Sequence, residues 1–389
     1  MSRTADGSAR VVALPQLDVL DAADGARLER VTTVARDLFG MPIASINLMD
    51  GAVQYTRAAA APEGVWPESL PRAGTMCDVT VRGHETLVVE DLTKDDRFKD
   101  LPLVTGPAAL RFYAGHPVTT PSGRRIGTIC VLDSMPHSFS ADEADLLRHL
   151  AAWVQSELSM EEELERAGEV QRGLLPQRTL DLPGFELAGA CSPAKGVGGD
   201  FFDWYSVIDG VQITVGDVMG KGMGAALLAA TVRAVLRGAR RLDPAAAVGV
   251  AADSLTQDLE AAHSFVTLFH ARAFEDGLVE YVDAGHGLGR VVRADGTHVP
   301  LPSVDPPVGL FEDDEWTAGT VRLEPGDALL VASDGLLDHV TPGDDADRVL
   351  SELVTSGRSA QDIVDFYMAS AARGPRTDDT TQVVLRRIS

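Results

Sequence analysis

The segment VGDVMGKGMGAAL, residues 215–227, carries the strongest structural signal in this 389-residue chain. It starts at the end of an alternating apolar run, Val211–Val215, which is typical of a β-strand. Asp217 follows this run among small residues, and the Ala-rich stretch Ala225–Arg241 favours a helix. The segment therefore predicts a strand, a turn that carries a carboxylate, and then a helix.

Three further segments place an aspartate where a strand pattern meets a turn. They are GGDFFD at residues 198–203, ASDGLLD at 332–338 and TDDTT at 377–381. An Asp beside a Gly is by itself an ordinary turn signal. The four segments stand out together because each adjoins an apolar run, and because Arg376 is the one cationic residue obviously placed as a partner.

Carboxylates gathered without cationic partners repel one another, and a hard divalent cation relieves that repulsion. The four segments contain neither thiols nor imidazoles, so their oxygen ligands favour Mg²⁺ or Mn²⁺ over zinc or copper. Two such ions a few ångströms apart can activate water and hold phosphoryl oxygens for in-line attack. The sequence therefore predicts a two-ion centre for hydrolysis.

The charge balance argues against several classes of partner. With 34 Lys and Arg against 58 Asp and Glu, the formal net charge is −24, which would repel nucleic acids and anionic membrane surfaces. The three cysteines are scattered and form neither a disulfide framework nor a zinc spacing. Neither a signal peptide nor a run of ~20 apolar residues is present. We therefore expect a cytoplasmic protein that binds neither nucleic acid nor membrane.

Changes in pattern along the chain predict two α+β domains. We expect a leader at residues 1–16, a first domain at 17–158, a helical linker at 159–180 and a second domain at 181–389. In the first domain a helix is predicted at Ala22–Leu38 and strands at Ala44–Leu48, Thr86–Glu90 and Ile126–Leu132. In the second, further strands are predicted at Leu278–Val282 and Ala328–Ala332, and helices at Pro244–Leu259 and Ser359–Ala372.

A long helix is predicted between the domains. Ser140 and Glu143 have the spacing of a capping box, and no helix breaker follows before Gly168. An apolar stripe runs from Leu147 to Leu158 and resumes from Leu164 to Leu174. The stripe fits either a helix packed on its own domain or a connecting helix that pairs with its copy in a homodimer. The charged polar faces favour the second interpretation.

In their order and spacing, the four Asp segments resemble those of the metal-dependent type 2C protein phosphatases, and most closely the bacterial SpoIIE-like branch. EVQRGLLP at residues 169–176 and AGH at 284–286 also resemble parts of these regulators. The resemblance covers about residues 165–388. It implies an αββα sandwich in which two packed sheets are flanked by helices.

The resemblance also implies roles for individual residues. Asp217 should bridge both ions, Asp200 and the backbone carbonyl of Val218 should complete one site, and Asp334 and Asp378 should hold the other. Asp379 should lie behind the ligands. No counterpart of the phosphate-binding arginine of eukaryotic relatives is found, and the general acid is unassigned. His286, in a Gly-rich turn, is interpreted as structural more readily than as that acid.

The first domain resembles a GAF domain. The resemblance rests on RAGTMC at residues 72–77, LRFYAGHP at 110–117 and GTICVLD at 127–133. It leaves the ligand open, since such domains bind cyclic nucleotides, small metabolites, haem or bilins, or nothing. Cys77 and Cys130 are interpreted as small core residues rather than sensors.

Together these resemblances imply a protein serine/threonine phosphatase under the control of its GAF domain. The expected substrate is a phosphorylated anti-sigma-factor antagonist of the STAS type. One alternative is a non-catalytic interaction protein that uses a phosphatase-like fold as a partner-binding switch. Loss of a metal carboxylate would mark such a protein, and here all are present. Another alternative is a phosphatase of small phosphoesters.

Overall fold

The computed structural model describes residues 25–62, 66–177, 182–311, 314–336, 344–371 and 378–389. The predicted leader at 1–16 and Arg376 lie outside these ranges. The chain divides into two compact units, Met1–Glu163 and Leu164–Ser389. This boundary falls inside the predicted linker, 159–180.

The first unit is built on one antiparallel six-stranded sheet of order β3-β2-β1-β6-β5-β4. Its elements are α1 (Gly25–Phe39), β1 (Ile43–Met49), β2 (Val53–Ala60), β3 (Ser69–Pro71), α2 (Met76–Arg82), β4 (Leu87–Val89), α3 (Pro102–Thr105), β5 (Phe112–Thr119), β6 (Arg125–Asp133) and the start of α4 (Ala141–Leu174). One face of the sheet packs on α1 and the first half of α4, and the other packs on α2 and nearby loops. The predicted strands of this domain are confirmed, and helix α1 ends one residue after the predicted end.

Helix α4 confirms the predicted capping box. The Ser140 hydroxyl accepts a hydrogen bond from Glu143 N at 3.2 Å, and the Glu143 carboxylate accepts one from Ser140 N at 2.7 Å. The stripe from Leu147 to Val154 is buried against the first unit's own sheet. This part of the stripe therefore packs on its own domain, which is the interpretation that the sequence favoured less.

The second unit is a sandwich of two five-stranded sheets, β14-β11-β10-β9-β8 and β13-β12-β15-β16-β7. Its strands are β7 (Phe185–Ser192), β8 (Asp200–Val207), β9 (Gly210–Val218), β10 (Val266–Phe274), β11 (Leu278–Ala284), β12 (Gly289–Val292), β13 (His298–Pro300), β14 (Gly319–Arg322), β15 (Ala328–Ala332) and β16 (Thr380–Arg387). Its further helices are α5 (Met223–Gly238), α6 (Pro244–Ala262), α7 (Asp344–Thr355) and α8 (Ala360–Ala371).

Alternation along the strands sorts the side chains into three cores. Phe202, Val215 and Phe269 lie between the sheets with Val331 and Val383. The opposite face of the first sheet packs on α5 and α6, and that of the second packs on α7 and α8. The arrangement is the predicted αββα sandwich, and it leaves strand ends of both sheets available to form a site at one end.

Across the described part of the chain, none of the helices combines the length and the apolar character needed to cross a bilayer.

Candidate metal centre

Two neighbouring strands place Asp200 and Asp217 opposite each other. Asp200 is the first residue of β8 and pairs in register with Asp217, near the end of β9. Asp200 has the strand parity of Phe202, and Asp217 that of Val215, so both carboxylates project to the side of the sheet that faces the second sheet. The sequence segments that contain them therefore meet at one end of the sandwich.

Beside this pair, the backbone at Gly199 passes unusually close to the backbone at Val218. A Cβ on Gly199 would overlap the carbonyl oxygen of Val218 and would lie 3.3 Å from Asp217 Oδ1. Glycine at 199 therefore allows the chain to approach the Val218 carbonyl, the expected backbone ligand. This is the geometric reason for a glycine before Asp200.

The second sheet contributes the other two predicted ligands. Asp334 follows β15 in a short 3-10 turn, and Asp378 lies two residues before β16. Ser333 ties the two segments together, because its N–H donates to the Thr381 carbonyl and its hydroxyl accepts from Thr381 N, both at 2.9 Å. A Cβ on Gly335 would overlap the Asp379 carbonyl and would lie 3.3 Å from Asp378 Cβ. The two segments are therefore in contact.

The carboxylates influence one another electrostatically. Burial, followed by the charge of Asp217, raises the pKa of Asp200 well above its usual range. Burial, and then the charges of Asp334 and Asp379, raise the pKa of Asp217 to about 6. The proton therefore competes with any cation for this site, as expected where like charges share a small volume.

Lys221 corrects the expectation that Arg376 is the one cationic partner. Its Nζ lies 2.9 Å from Asp378 Oδ2, and this hydrogen bond raises the pKa of Lys221. Lys221 belongs to the same sequence segment as Asp217, four residues further on. That proximity was the available signal, but the sequence did not show which carboxylate the lysine would meet.

Asp379 is buried, and its carboxylate binds backbone N–H groups rather than pointing freely toward the other aspartates. Its carboxylate accepts hydrogen bonds from Ala194 N and Gly199 N, each at 2.8 Å, and from Asp200 N at 3.4 Å. It therefore fixes the loop that leads into β8. This geometry agrees with its predicted place behind the ligands.

The donor set suits a hard divalent cation. Asp200 Oδ2 is buried and has no hydrogen-bond partner among the described residues, so its charge lacks compensation there. The same carboxylates do not form a finished shell: no three of the described Asp, Glu, His or Cys side chains already converge as metal ligands. The oxygen chemistry fits Mg²⁺ or Mn²⁺.

His286 lies in a buried turn. Its Nδ1 is 3.1 Å from the Thr267 hydroxyl, and the Asp283 carboxylate accepts from His286 N at 2.8 Å. Burial lowers the pKa of the imidazole. A neutral, enclosed ring favours the structural interpretation.

The two cysteines of the first unit lie together in its core. Their Sγ atoms are 3.9 Å apart, and Asn47 Nδ2 is 3.5 Å from Cys130 Sγ. Both side chains are buried. Their burial agrees with the interpretation as core residues.

Comparison with known proteins identifies both units. Residues 209–388 match the family model "Stage II sporulation protein E (SpoIIE)", and residues 25–158 match the GAF domain. The first match includes Asp217, Asp334 and Asp378 but begins after Asp200.

Individual relatives cover only parts of the chain. A cyclic di-GMP phosphodiesterase of Pseudomonas aeruginosa is 32% identical over 154 residues, which are 39% of this chain and 26% of that protein. The phosphoserine phosphatase RsbU of Bacillus subtilis is 26% identical over 251 residues, 60% of this chain and 72% of that protein. The SiaA-PP2C domain of Pseudomonas aeruginosa matches in structure with a TM-score of 0.51 at 23% identity, over 59% of this chain and 98% of that domain. This last likeness supports the fold. The chain therefore joins a GAF domain to a domain of the SpoIIE family, which has the fold of the type 2C phosphatases.

Proposed function

We propose that the chain is a metal-dependent phosphoprotein phosphatase whose activity is set by its GAF domain. The observation that carries this proposal is the pairing in register of Asp200 with Asp217. Burial raises the pKa of both carboxyls, the charge of Asp217 raises that of Asp200 further, and the charges of Asp334 and Asp379 raise that of Asp217. Such a pair is costly in a fold unless a cation binds to it. Family membership and the phosphoserine phosphatase among the relatives support hydrolysis of phosphoserine or phosphothreonine.

Two ions fit the proposed roles of the ligands. Asp217 would bridge them, with Asp200 and the Val218 carbonyl on one side and Asp334 and Asp378 on the other. Bound Mn²⁺ or Mg²⁺ supplies a Lewis acid for the phosphoryl oxygens and lowers the pKa of water. Asp379 holds the Asp200 loop, and Lys221, once released by Asp378, offers a positive charge beside the substrate phosphate.

The substrate that we propose is a phosphorylated STAS-type anti-sigma-factor antagonist in the cytoplasm. A small molecule in the GAF domain would regulate the reaction. A homodimer through the linker helix is part of the proposal, and exposed Val170 and Leu174, four residues apart on α4, support it. Sedimentation of a Val170→Glu, Leu174→Glu variant tests the dimer, since two charges on this surface should leave only monomer.

The test of function is dephosphorylation of a phosphorylated antagonist, with p-nitrophenyl phosphate measured in parallel. We expect turnover of the phosphoprotein with Mn²⁺, loss of turnover with EDTA, and loss in Asp217→Asn. Turnover of p-nitrophenyl phosphate alone would favour the small-phosphoester alternative. Binding of the phosphoprotein without turnover at any Mn²⁺ or Mg²⁺ concentration would favour the non-catalytic switch and would overturn the proposal.

A further inference from the structure

The last turns of α4 make a two-point hydrogen bond to the loop before Asp200. Gln171 Nε2 donates to the Gly198 carbonyl at 2.7 Å, and Gly198 N donates to Gln171 Oε1 at 3.1 Å. One side-chain amide therefore satisfies both backbone groups of a residue two positions before a predicted metal ligand. A loop residue held at both its donor and its acceptor cannot rotate without losing two hydrogen bonds.

A second contact fixes the same helix against the same loop. A Cβ on Gly168 would overlap the carbonyl oxygen of Gly196. Gly168 lies one turn before Gln171, so both residues face the loop. Gly168 is the first possible helix breaker after Ser140, but α4 continues through it to Leu174, as the resumed apolar stripe predicted, and the glycine permits close approach.

The opposite side of the loop is held by Asp379. Its carboxylate accepts from Gly199 N at 2.8 Å, and a Cβ on Gly198 would overlap that carboxylate. The Gly198–Asp200 backbone is thus clamped between the amide of Gln171 and the carboxylate of Asp379. Asp379 belongs to the segment that carries Asp378, whereas Gln171 belongs to the linker helix.

We propose that Gln171 is a positioning residue that orients Asp200 for metal binding by fixing Gly198. Both polar atoms of its amide bind the Gly198 backbone, so the side chain acts through the backbone it holds. The position of the α4 end relative to this loop would then set the affinity of the Asp200 site for its ion. This role rests on the proposed function, in which Asp200 is a ligand.

The test compares Gln171→Met with Gln177→Met in the full-length protein. Methionine keeps the length of the side chain but removes both hydrogen bonds. Gln177 is the matched control, because it is exposed and its amide donates to the carbonyls of Arg172 and Leu175 rather than to the loop. The readouts are Mn²⁺ affinity by calorimetry and amide hydrogen exchange of residues 194–200 without metal.

We expect Gln171→Met to weaken Mn²⁺ binding by ~10-fold, the usual effect of removing an outer partner of a metal ligand. Exchange in the loop should be faster, and the unfolding midpoint should stay close to that of Gln177→Met. Gln171→Glu keeps the acceptor for Gly198 N and loses the donor, so it should fall between. Gly168→Ala favours the helix but displaces the Gly196 carbonyl, and it should weaken Mn²⁺ binding even if Gln171→Met does not fold.

Two other outcomes would decide against the proposal. If Mn²⁺ affinity is the same in Gln171→Met and Gln177→Met, the amide does not position Asp200, whether or not loop exchange changes. If all variants lose Mn²⁺ affinity in proportion to their loss of stability, the role is merely structural. Failure of the unaltered protein to bind Mn²⁺ would instead refute the proposed function on which this role rests.

Discussion

Two aspartates on one strand, Asp200 and Asp203, are surrounded in opposite ways. They are three residues apart on β8, so they project from opposite faces of the sheet. Asp203 faces α5, where Arg237 Nη2 donates to its Oδ1 at 2.7 Å and Arg233 Nε lies 3.3 Å from its Oδ2. Asp200 faces the second sheet and has no Lys or Arg partner within the described residues.

The difference shows how one hexapeptide combines a structural and a functional carboxylate. The fold supplies two cations for Asp203, so its charge is neutralised permanently. For Asp200 the fold supplies burial and a second carboxylate, Asp217, and both raise the pKa of Asp200. A buried carboxylate whose charged form is disfavoured by the surrounding protein indicates a site for an external cation.

Exchanging Asp for Asn at the two positions gives the largest expected contrast. Asp200→Asn should lower phosphatase turnover by at least ~100-fold while the protein stays folded, because the proposed two-ion centre would lose a charged ligand. Steady-state kinetics over a range of Mn²⁺ concentrations checks this. Unchanged turnover at every concentration would remove Asp200 from the centre.

Asp203→Asn should instead act on stability. Removing one partner of a buried ion pair leaves the Arg233 guanidinium uncompensated, at a cost of about 3–5 kcal/mol in the free energy of unfolding. Urea denaturation measures it, and a variant that also carries Arg233→Met and Arg237→Met should recover part of the loss. A small effect in Asp203→Asn would show that solvent already screens the pair.

Asp217→Asn sharpens the comparison through pH in the metal-free protein. The pKa of Asp217 is about 6 in the fold, against 3.8 ordinarily, so the fold binds this proton more tightly than the unfolded chain does. The wild type should lose stability as pH rises from about 4 to about 6, by about 1–3 kcal/mol. Asn should remove that loss, so the variant should be the more stable above pH 6 and equal near pH 4. Thermal unfolding in EDTA at both pH values checks the sign, and a difference independent of pH would contradict it.

Salt should have the smallest effect. The chain carries a net charge of −24, so distant carboxylates add attraction for a divalent ion that salt screens within about 10 Å at 0.1 M. Mn²⁺ should bind a few-fold more tightly at low than at high ionic strength, as measured by calorimetry. Equal affinity would show that the nearest ligands alone determine binding.

The sequence predicted what depends on local pattern. The alternation at Ala328–Ala332 matches β15 residue for residue. The segment around Asp217 gives the predicted order of strand, turn and helix, but Asp217 lies in strand β9 rather than in the turn. It did not predict what depends on a distant neighbour. The contact of Lys221 with Asp378 joins segments far apart in sequence, and neither segment alone indicates it.

The linker helix shows the same limit. Its capping box was visible in the sequence because Ser140 and Glu143 are three residues apart. Its continuation past Gly168 was predicted by the apolar stripe, but the reason for a glycine there was not visible, since it is the close approach of the Gly196 carbonyl. From the sequence, the apolar stripe could pack within its own domain or against a second copy of the chain. Its first part packs on the sheet of the first unit, and the residues of that sheet lie outside the stripe.

The position of β16 has a consequence for the order in which the protein folds during synthesis. Strand β16 lies between β15 and β7, so β7 has its only sheet neighbour, among the described strands, in a segment made much later: Ser192 pairs with Thr380. The second sheet therefore cannot close until nearly the whole described chain has been translated. By contrast, the strands of the first unit pair within residues 43–133 and can fold while the rest is being made. Pairing over such long separations is slow, so β7 should remain an exposed edge on the nascent chain and a point of contact for chaperones.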